Sequence, residues 1–193
     1  DRIASTRRML GSRAVLTAGS THAGEDEALI DAFAAHLATR PEDLMILVPR
    51  HPERFDTVAR LLQQSGLRYP RHSQGATPQA DTQVLLGDTM GELMHWYGVA
   101  DTCFVGGSLI PRGGHNPLEV LVLDKPLIAG PHTHNFAQLY DALDTAGALL
   151  RVDTAAAVFA GFTQLVEQPG RGVQQAARGQ TLYQSMTGAV ART

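Results

Sequence analysis

The stretch Cys103-Phe104-Val105-Gly106-Gly107-Ser108-Leu109-Ile110-Pro111-Arg112-Gly113-Gly114-His115-Asn116-Pro117-Leu118-Glu119 decides the fold. Its first three residues form an apolar run that reads as a buried strand. Its last four, Asn116-Pro117-Leu118-Glu119, read as a helix start, with Pro117 at the favoured first helical position. Two glycine pairs lie between them. Glycine lets backbone N–H groups turn inward and lets a ligand come close to the main chain. A glycine-rich turn leading into a helix N-terminus is a recipe for holding a phosphate or carboxylate. An anion-binding crevice at the carboxyl end of a strand is therefore expected.

The same alternation extends outward in both directions. Ala14–Ala18 precedes a helix from about Gly24 to Thr39, with Leu29, Phe33 and Leu37 on one stripe. Leu44–Val48 precedes a helix carrying Phe55, Val58, Leu61 and Leu62 that stops at Ser65-Gly66. Val84–Leu86 leads to a helix from Gly91 to about Ala100, and Thr102–Val105 to the helix opened by Pro117. Leu127–Ala129 leads to a helix near Phe136, and Ala148–Val152 to a C-terminal helical pair. Short strands that are apolar throughout suit a parallel sheet covered on both faces. Repeated strand–helix order predicts a doubly wound, Rossmann-like α/β domain spanning residues 1–193. Pro70–Thr82 is the clearest exposed loop.

Composition narrows the function. The 193 residues are 44% hydrophobic and 18% charged, an ordinary globular balance. A net charge of −3 gives no general reason to bind nucleic acid, so any anion site must be local. The only cysteine, Cys103, lies in a strand run, where it reads as buried filler. No apolar run is long enough to span a bilayer, and Asp1–Arg8 lacks the apolar core of a signal peptide. The start at Asp1 without methionine leads to the expectation of a piece of a longer protein.

In a doubly wound sheet the loops after the strands meet along one edge. Here they are Gly19–Gly24, Pro49–Arg54, Gly87–Leu93, the glycine stretch and Gly130–Asn135. Ser20, Thr21, Arg50, Ser108, Gly114 and His115 would border one crevice, offering hydroxyl, guanidinium and backbone donors for a phosphate-containing ligand. Each residue also has a plainer reading. Thr89-x-x-Glu92 and Asn116-x-x-Glu119 both match capping boxes, and Arg50 and Arg54 suit a surface. His132-x-His134 is weak evidence for zinc, and His36 and His95 fall on helices. No G-x-x-x-x-G-K-[ST] loop or early G-x-G-x-x-G is present.

Five segments together resemble the C-terminal half of the 3-deoxy-manno-octulosonate (Kdo) transferases of lipopolysaccharide synthesis. They are Ala18-Gly19-Ser20-Thr21-His22-x-Gly24-Glu25, Pro49–Arg54, Gly87-Asp88-Thr89-x-Gly91-Glu92-Leu93, Phe104–Glu119 and Gly130-Pro131-His132-Thr133-x-Asn135-Phe136. The similarity runs in order from Val15 to Gly147. It implies the C-terminal, donor-binding domain of a GT-B glycosyltransferase that uses CMP-Kdo, with no metal and no cofactor. It also implies that the general base, the lipid A precursor site and the membrane contact belong to an N-terminal domain with no counterpart in this chain. The whole enzyme would work at the cytoplasmic face of the bacterial inner membrane, and the domain alone would be soluble and inactive. On this resemblance the donor-binding residues are Ser20, Thr21, Arg50, Thr89, Met90, Gly91, Gly107, Ser108, Gly114, His115, Asn116 and Glu119. Gly107, Ser108 and the Gly113-Gly114-His115 turn would take the phosphate and sugar carboxylate, and Arg50 would add charge. Thr89–Gly91 would wall the cytosine, and Glu119 would accept from ribose hydroxyls. The rival readings are another GT-B or epimerase domain using a UDP-sugar, a non-catalytic nucleotide-binding module, and a metal hydrolase using His132 and His134.

Overall fold

A computed structural model describes residues 1–192, with side chains through Gly188. Six parallel strands form one sheet in the order β3-β2-β1-β4-β5-β6. They are β1 (Val15–Thr21), β2 (Leu44–Pro49), β3 (Val84–Leu86), β4 (Thr102–Val105), β5 (Leu127–Ala129) and β6 (Leu150–Arg151). The helices are α1 (Arg2–Leu10), α2 (Glu25–His36), α3 (Phe55–Ser65), α4 (Leu93–Val99), α5 (Leu118–Val122), α6 (Ala137–Ala146), α7 (Ala155–Glu167) and α8 (Pro169–Arg192). The expected doubly wound sheet is present, and β1 and β4 are the neighbours at which strand order reverses.

The apolar strands alternate after all, between two cores. Leu16, Ala18, Met45, Leu47, Leu86 and Phe104 face α2, α3 and α7, where Phe33, Val58, Leu62 and Phe162 pack against them. Val15, Leu44, Ile46, Leu85, Cys103 and Val105 face the opposite layer, with Trp96, Tyr97, Leu121 and Tyr140. With apolar side chains needed on both faces, no polar alternation survives in the sequence. Thr17 is tolerated inside because its hydroxyl donates to the Trp96 carbonyl at 2.7 Å. Gly66 ends α3 in the left-handed conformation, at φ 78°, as the Ser65-Gly66 stop predicts.

Two expectations need correcting, and one helix is new. The strand expected over Ala148–Val152 has only two paired residues, since β6 sits at the sheet edge beside β5 alone. The helix expected from Gly91 begins at Leu93, because Gly91 has φ 81°, outside the helical region. Arg2–Leu10 forms a helix that sequence analysis did not assign. Among the described residues no helix is long and apolar enough to cross a membrane.

Candidate functional site

The crevice forms where β1 and β4 part. Their ends are pressed together: the Gly106 N–H donates to the Gly19 carbonyl at 2.7 Å. A Cβ on Gly106 would lie 2.3 Å from the Ser20 carbonyl oxygen, so only glycine fits there. Ser20 itself has φ 57°, a left-handed conformation uncommon outside glycine, at a point where the β1–β2 register shifts. The Thr21 carbonyl accepts from Arg50 N–H at 2.8 Å, which draws the β2 loop to the same edge.

A cavity of about 280 Å³ lies above this junction. Ser20, Val48, Pro49, Arg50, Thr89, Met90, Gly91, Leu93, Tyr97, His115, Asn116 and Glu119 line it. Of the twelve residues expected at a donor site, eight therefore share one wall: Ser20, Arg50, Thr89, Met90, Gly91, His115, Asn116 and Glu119. Thr21, Gly107, Ser108 and Gly114 do not.

Those four carry the main correction. The glycine turn does bind an anion through its backbone, but the anion belongs to the protein. Glu25, fully buried at the start of α2, accepts from Gly107 N–H at 2.7 Å, Ser108 N–H at 3.1 Å, Leu109 N–H at 3.0 Å and His22 N–H at 3.2 Å. Burial pushes its pKa up, and the N–H donors pull against that. The expected phosphate cradle at Gly107 and Ser108 is thus already filled. The Ser108 hydroxyl is also committed, donating to the Val105 carbonyl at 2.6 Å and accepting from Gly130 N–H at 2.9 Å. Gly114 N–H donates to the Gly107 carbonyl. The Thr21 hydroxyl points into the protein and donates to Asp26, a buried carboxylate paired with Arg54 at 3.0 Å. The helix expected to supply a positive end, α5, has only five residues, too few for much of a dipole.

Neither capping box forms as expected. Asn116 Oδ1 accepts from Leu118 N–H at 3.0 Å, but Glu119 returns no bond. Glu119 is half-buried in the crevice wall without a hydrogen-bond partner among the described residues, and burial alone raises its pKa. Thr89 donates to the Glu92 carboxylate, which also meets Arg2 and, at 2.9 Å, His72. The Thr89 bond, with Arg2 and His72, outweighs the opposing effect of burial and brings Glu92 down to about 2. Asp88 fastens the loop after β3, accepting from Ser73 N–H at 2.8 Å and Arg71 Nε at 2.7 Å. Burial pushes Asp88 up, but Ser73 and Arg71 more than reverse this. Met90 is left 56% exposed on the rim, an apolar surface suited to stacking on a flat ring.

The crevice lining carries one cation, Arg50, and one carboxylate, Glu119. Burial, with the positive charges of Arg50 and Arg112 nearby, keeps the His22 and His115 imidazoles neutral. Burial is the larger cause, and with these charges it lowers His22 to about 4. Glu119 is the only carboxylate in the lining. Such a lining has a cation that can meet an anion and a carboxylate that can accept from hydroxyls. His132 and His134 do not form a metal site: no group of three potential ligands exists among the described residues.

No family model matches the chain. A 3-deoxy-D-manno-octulosonic acid transferase of Haemophilus influenzae is 48% identical over 144 residues, covering 75% of this chain and 34% of the relative. The enzyme of the same description from Bordetella pertussis is 41% identical over 187 residues, covering 94% of this chain and 43% of the relative. A crystal structure of the C-terminal CMP-Kdo binding domain of WaaA from Acinetobacter baumannii matches with TM-score 0.90 and 38% identity, over 95% of this chain and 98% of that one. The chain belongs to the Kdo transferase family. It spans about two fifths of the Bordetella pertussis relative and less of the Haemophilus influenzae one. Its fold is that of the C-terminal half of a GT-B glycosyltransferase.

Within this Kdo transferase domain, several residues of the site had no role assigned from sequence. Tyr97 and Leu93 line the crevice from α4, and Tyr97 is the reason position 19 is glycine: a Cβ there would lie 2.2 Å from its hydroxyl. Arg112, His51 and His22 shape the potential. Glu25 stands in a quoted motif, but three of its four partners lie more than 80 residues away, beyond the reach of local pattern. An acidic residue directly after a glycine at a helix start is the one available signal, and it reads equally well as a favourable dipole contact.

Proposed function

We propose that this domain binds the donor CMP-Kdo in the β1/β4 crevice, as one half of an enzyme that transfers Kdo to a lipid A precursor. The observation that carries the proposal is the make-up of the crevice lining: Arg50 as its cation, a neutral His115, Glu119 without a partner among the described residues, and Met90 on the rim. A nucleoside monophosphate joined to an acidic sugar has the matching groups. Its phosphate and carboxylate meet Arg50, its ribose hydroxyls donate to Glu119, and its base lies against Thr89-Met90-Gly91. Ser20, His115 and Asn116 complete the polar wall. The membership of the Kdo transferase family supports CMP-Kdo over other nucleotide sugars.

The acceptor, the general base and the membrane contact are assigned to an N-terminal domain, with the whole enzyme at the cytoplasmic face of the bacterial inner membrane. Chemistry then runs by displacement at the anomeric carbon. This domain orients the donor and balances the charge that collects on the departing CMP phosphate. No metal or cofactor is assigned a part.

Titration calorimetry with CMP, UMP and AMP tests the proposal. CMP is expected to bind weakly, and more tightly than either competitor, because one side of the crevice stays open to solvent. Equal affinity for the three would reduce the site to phosphate binding. Preference for UMP would favour the UDP-sugar reading. The domain alone is expected to transfer no Kdo, and measurable transfer to a lipid A precursor would refute the division of labour.

A further inference from the structure

One polar contact at the crevice wall involves a residue that no ligand can reach. His22, 4% exposed, places Nε2 at 2.6 Å from His115 Nε2, with the ring centroids 4.9 Å apart and the ring planes 10° from parallel, so the rings meet edge to edge. His22 Nδ1 is buried and has no hydrogen-bond partner among the described residues. His115 is only half-buried and lines the crevice, and its Nδ1 has no hydrogen-bond partner among the described residues. We infer that His22 is a positioning residue that fixes the tautomer of His115, so that a neutral Nδ1–H donor is presented to the crevice.

A hydrogen bond between two ring nitrogens needs a proton on one and a lone pair on the other. With both rings neutral, two arrangements satisfy it. In the first, His115 Nε2–H donates to His22 Nε2, which forces the proton of His22 onto Nδ1. That leaves an N–H buried without an acceptor, the rarer and costlier defect. In the second, His22 Nε2–H donates, its Nδ1 is a buried lone pair, and the proton of His115 must sit on Nδ1. The second arrangement is favoured. A charged pair is opposed by burial and by every group whose charge reaches the rings: Arg50, His51 and Arg112.

The surroundings keep this geometry. His115 N–H donates to the Gly106 carbonyl at 3.1 Å, and its carbonyl accepts from the Tyr140 hydroxyl at 2.7 Å. The ring lies against Gly107, where a Cβ would come within 3.1 Å of His115 Cδ2. His115 Nε2 is engaged by His22, so Nδ1 is the nitrogen left for a ligand oxygen. A fixed donor of this kind costs no reorganisation when an anion arrives. The choice of an anion as ligand rests on the function proposed above. The tautomer does not.

The two parts are tested separately. Long-range proton–nitrogen NMR on the unliganded domain reads each ring nitrogen near neutral pH. The expected result is a proton on Nδ1 of His115 and on Nε2 of His22. Protonation of His115 at Nε2, or an even mixture, overturns the inference whatever the ligand. The second measurement uses CMP as the probe. His22→Gln retains an N–H donor near the Nε2 position, and is expected to preserve both the His115 tautomer and CMP affinity to within about twofold. His22→Leu removes the donor, and is expected to weaken CMP binding about fivefold, the factor for one modest hydrogen bond. Both variants lose the imidazole, so a merely structural role would affect them alike, and equal losses in the two overturn the inference. If the parent domain does not bind CMP at all, the proposed function fails while the NMR result still decides the tautomer.

Discussion

Glu25 is fully buried and Glu119 half-buried, and their hydrogen-bond partners separate their roles. Glu25 has four N–H donors, whereas Glu119 has no partner and faces open space. Replacing Glu25 by glutamine would set an amide N–H₂ against backbone donors. Glu25→Gln is expected to lower stability by about 1.5–3 kcal/mol, the range for hydrogen bonds to a charged group, as read by urea unfolding. An unchanged midpoint would show that the turn holds itself. Glu119→Gln is expected to leave the melting temperature of the free domain almost unchanged. It should weaken CMP binding about fivefold or more, since charge-assisted bonds to ribose become neutral ones. Undiminished CMP affinity would remove Glu119 from the ribose. At this scale the sequence was half legible. The paired glycines disclosed a turn that wraps an anion, but they could not disclose that residue 25 supplies it, because spacing along a chain carries no information about such distant contacts.

The central strands and their helices were readable where length and apolar character agreed. Leu127–Ala129 and Thr102–Val105 fall where the apolar runs place them. Helix α1 escaped because Arg2, Ser5, Thr6, Arg7 and Arg8 leave only Ile3, Met9 and Leu10 as large apolar residues, too few to show a period. Its packing declares itself only in three dimensions: a Cβ on Gly98 of α4 would lie 2.4 Å from Ile3 Cδ1. β6 was overestimated because Ala148–Val152 is apolar for the sake of packing, while one neighbouring strand pairs only two of its residues. The tightest junction between elements is that of β1 and β4. Gly106→Ala is expected to cost about 1–3 kcal/mol of stability, the usual penalty for forcing volume into a packed site. The obstacle is the Ser20 backbone, and the change should also distort the crevice floor. Gly188→Ala, where nothing lies within 4 Å, serves as the comparison, and equal denaturation midpoints for the two variants would contradict the reading.

Over the whole molecule, acid sensitivity follows from imidazoles buried without charge and from a carboxylate held in its charged form. The pKa of His22 in the folded state, about 4, lies below its ordinary 6.5, so the unfolded chain takes up this proton first as pH falls. The contribution is fully favourable above pH 6.5 and is lost progressively down to about 4. His95 and His115 are also lowered and act in the same direction. Glu92, at about 2 in the fold, adds a second loss between its ordinary 4.5 and 2. Melting temperatures measured across this span are expected to fall with pH, and His22→Gln to flatten the upper part of the curve. An unchanged slope in that variant would place the sensitivity elsewhere. The doubly wound parallel sheet was foreseeable from strand–helix alternation, whereas the strand order that puts the switch point between β1 and β4 is seen only in the fold. The electrostatic character of the crevice was not foreseeable either, because it depends on which rings lie in contact. One consequence concerns timing. With Glu25 holding the glycine turn from within, the turn is expected to keep its shape when a nucleotide binds. A nucleotide would then dock without waiting for backbone to fold, its heat-capacity change would reflect only the surface it covers, and free and filled crystals would superimpose along Gly107–Leu109.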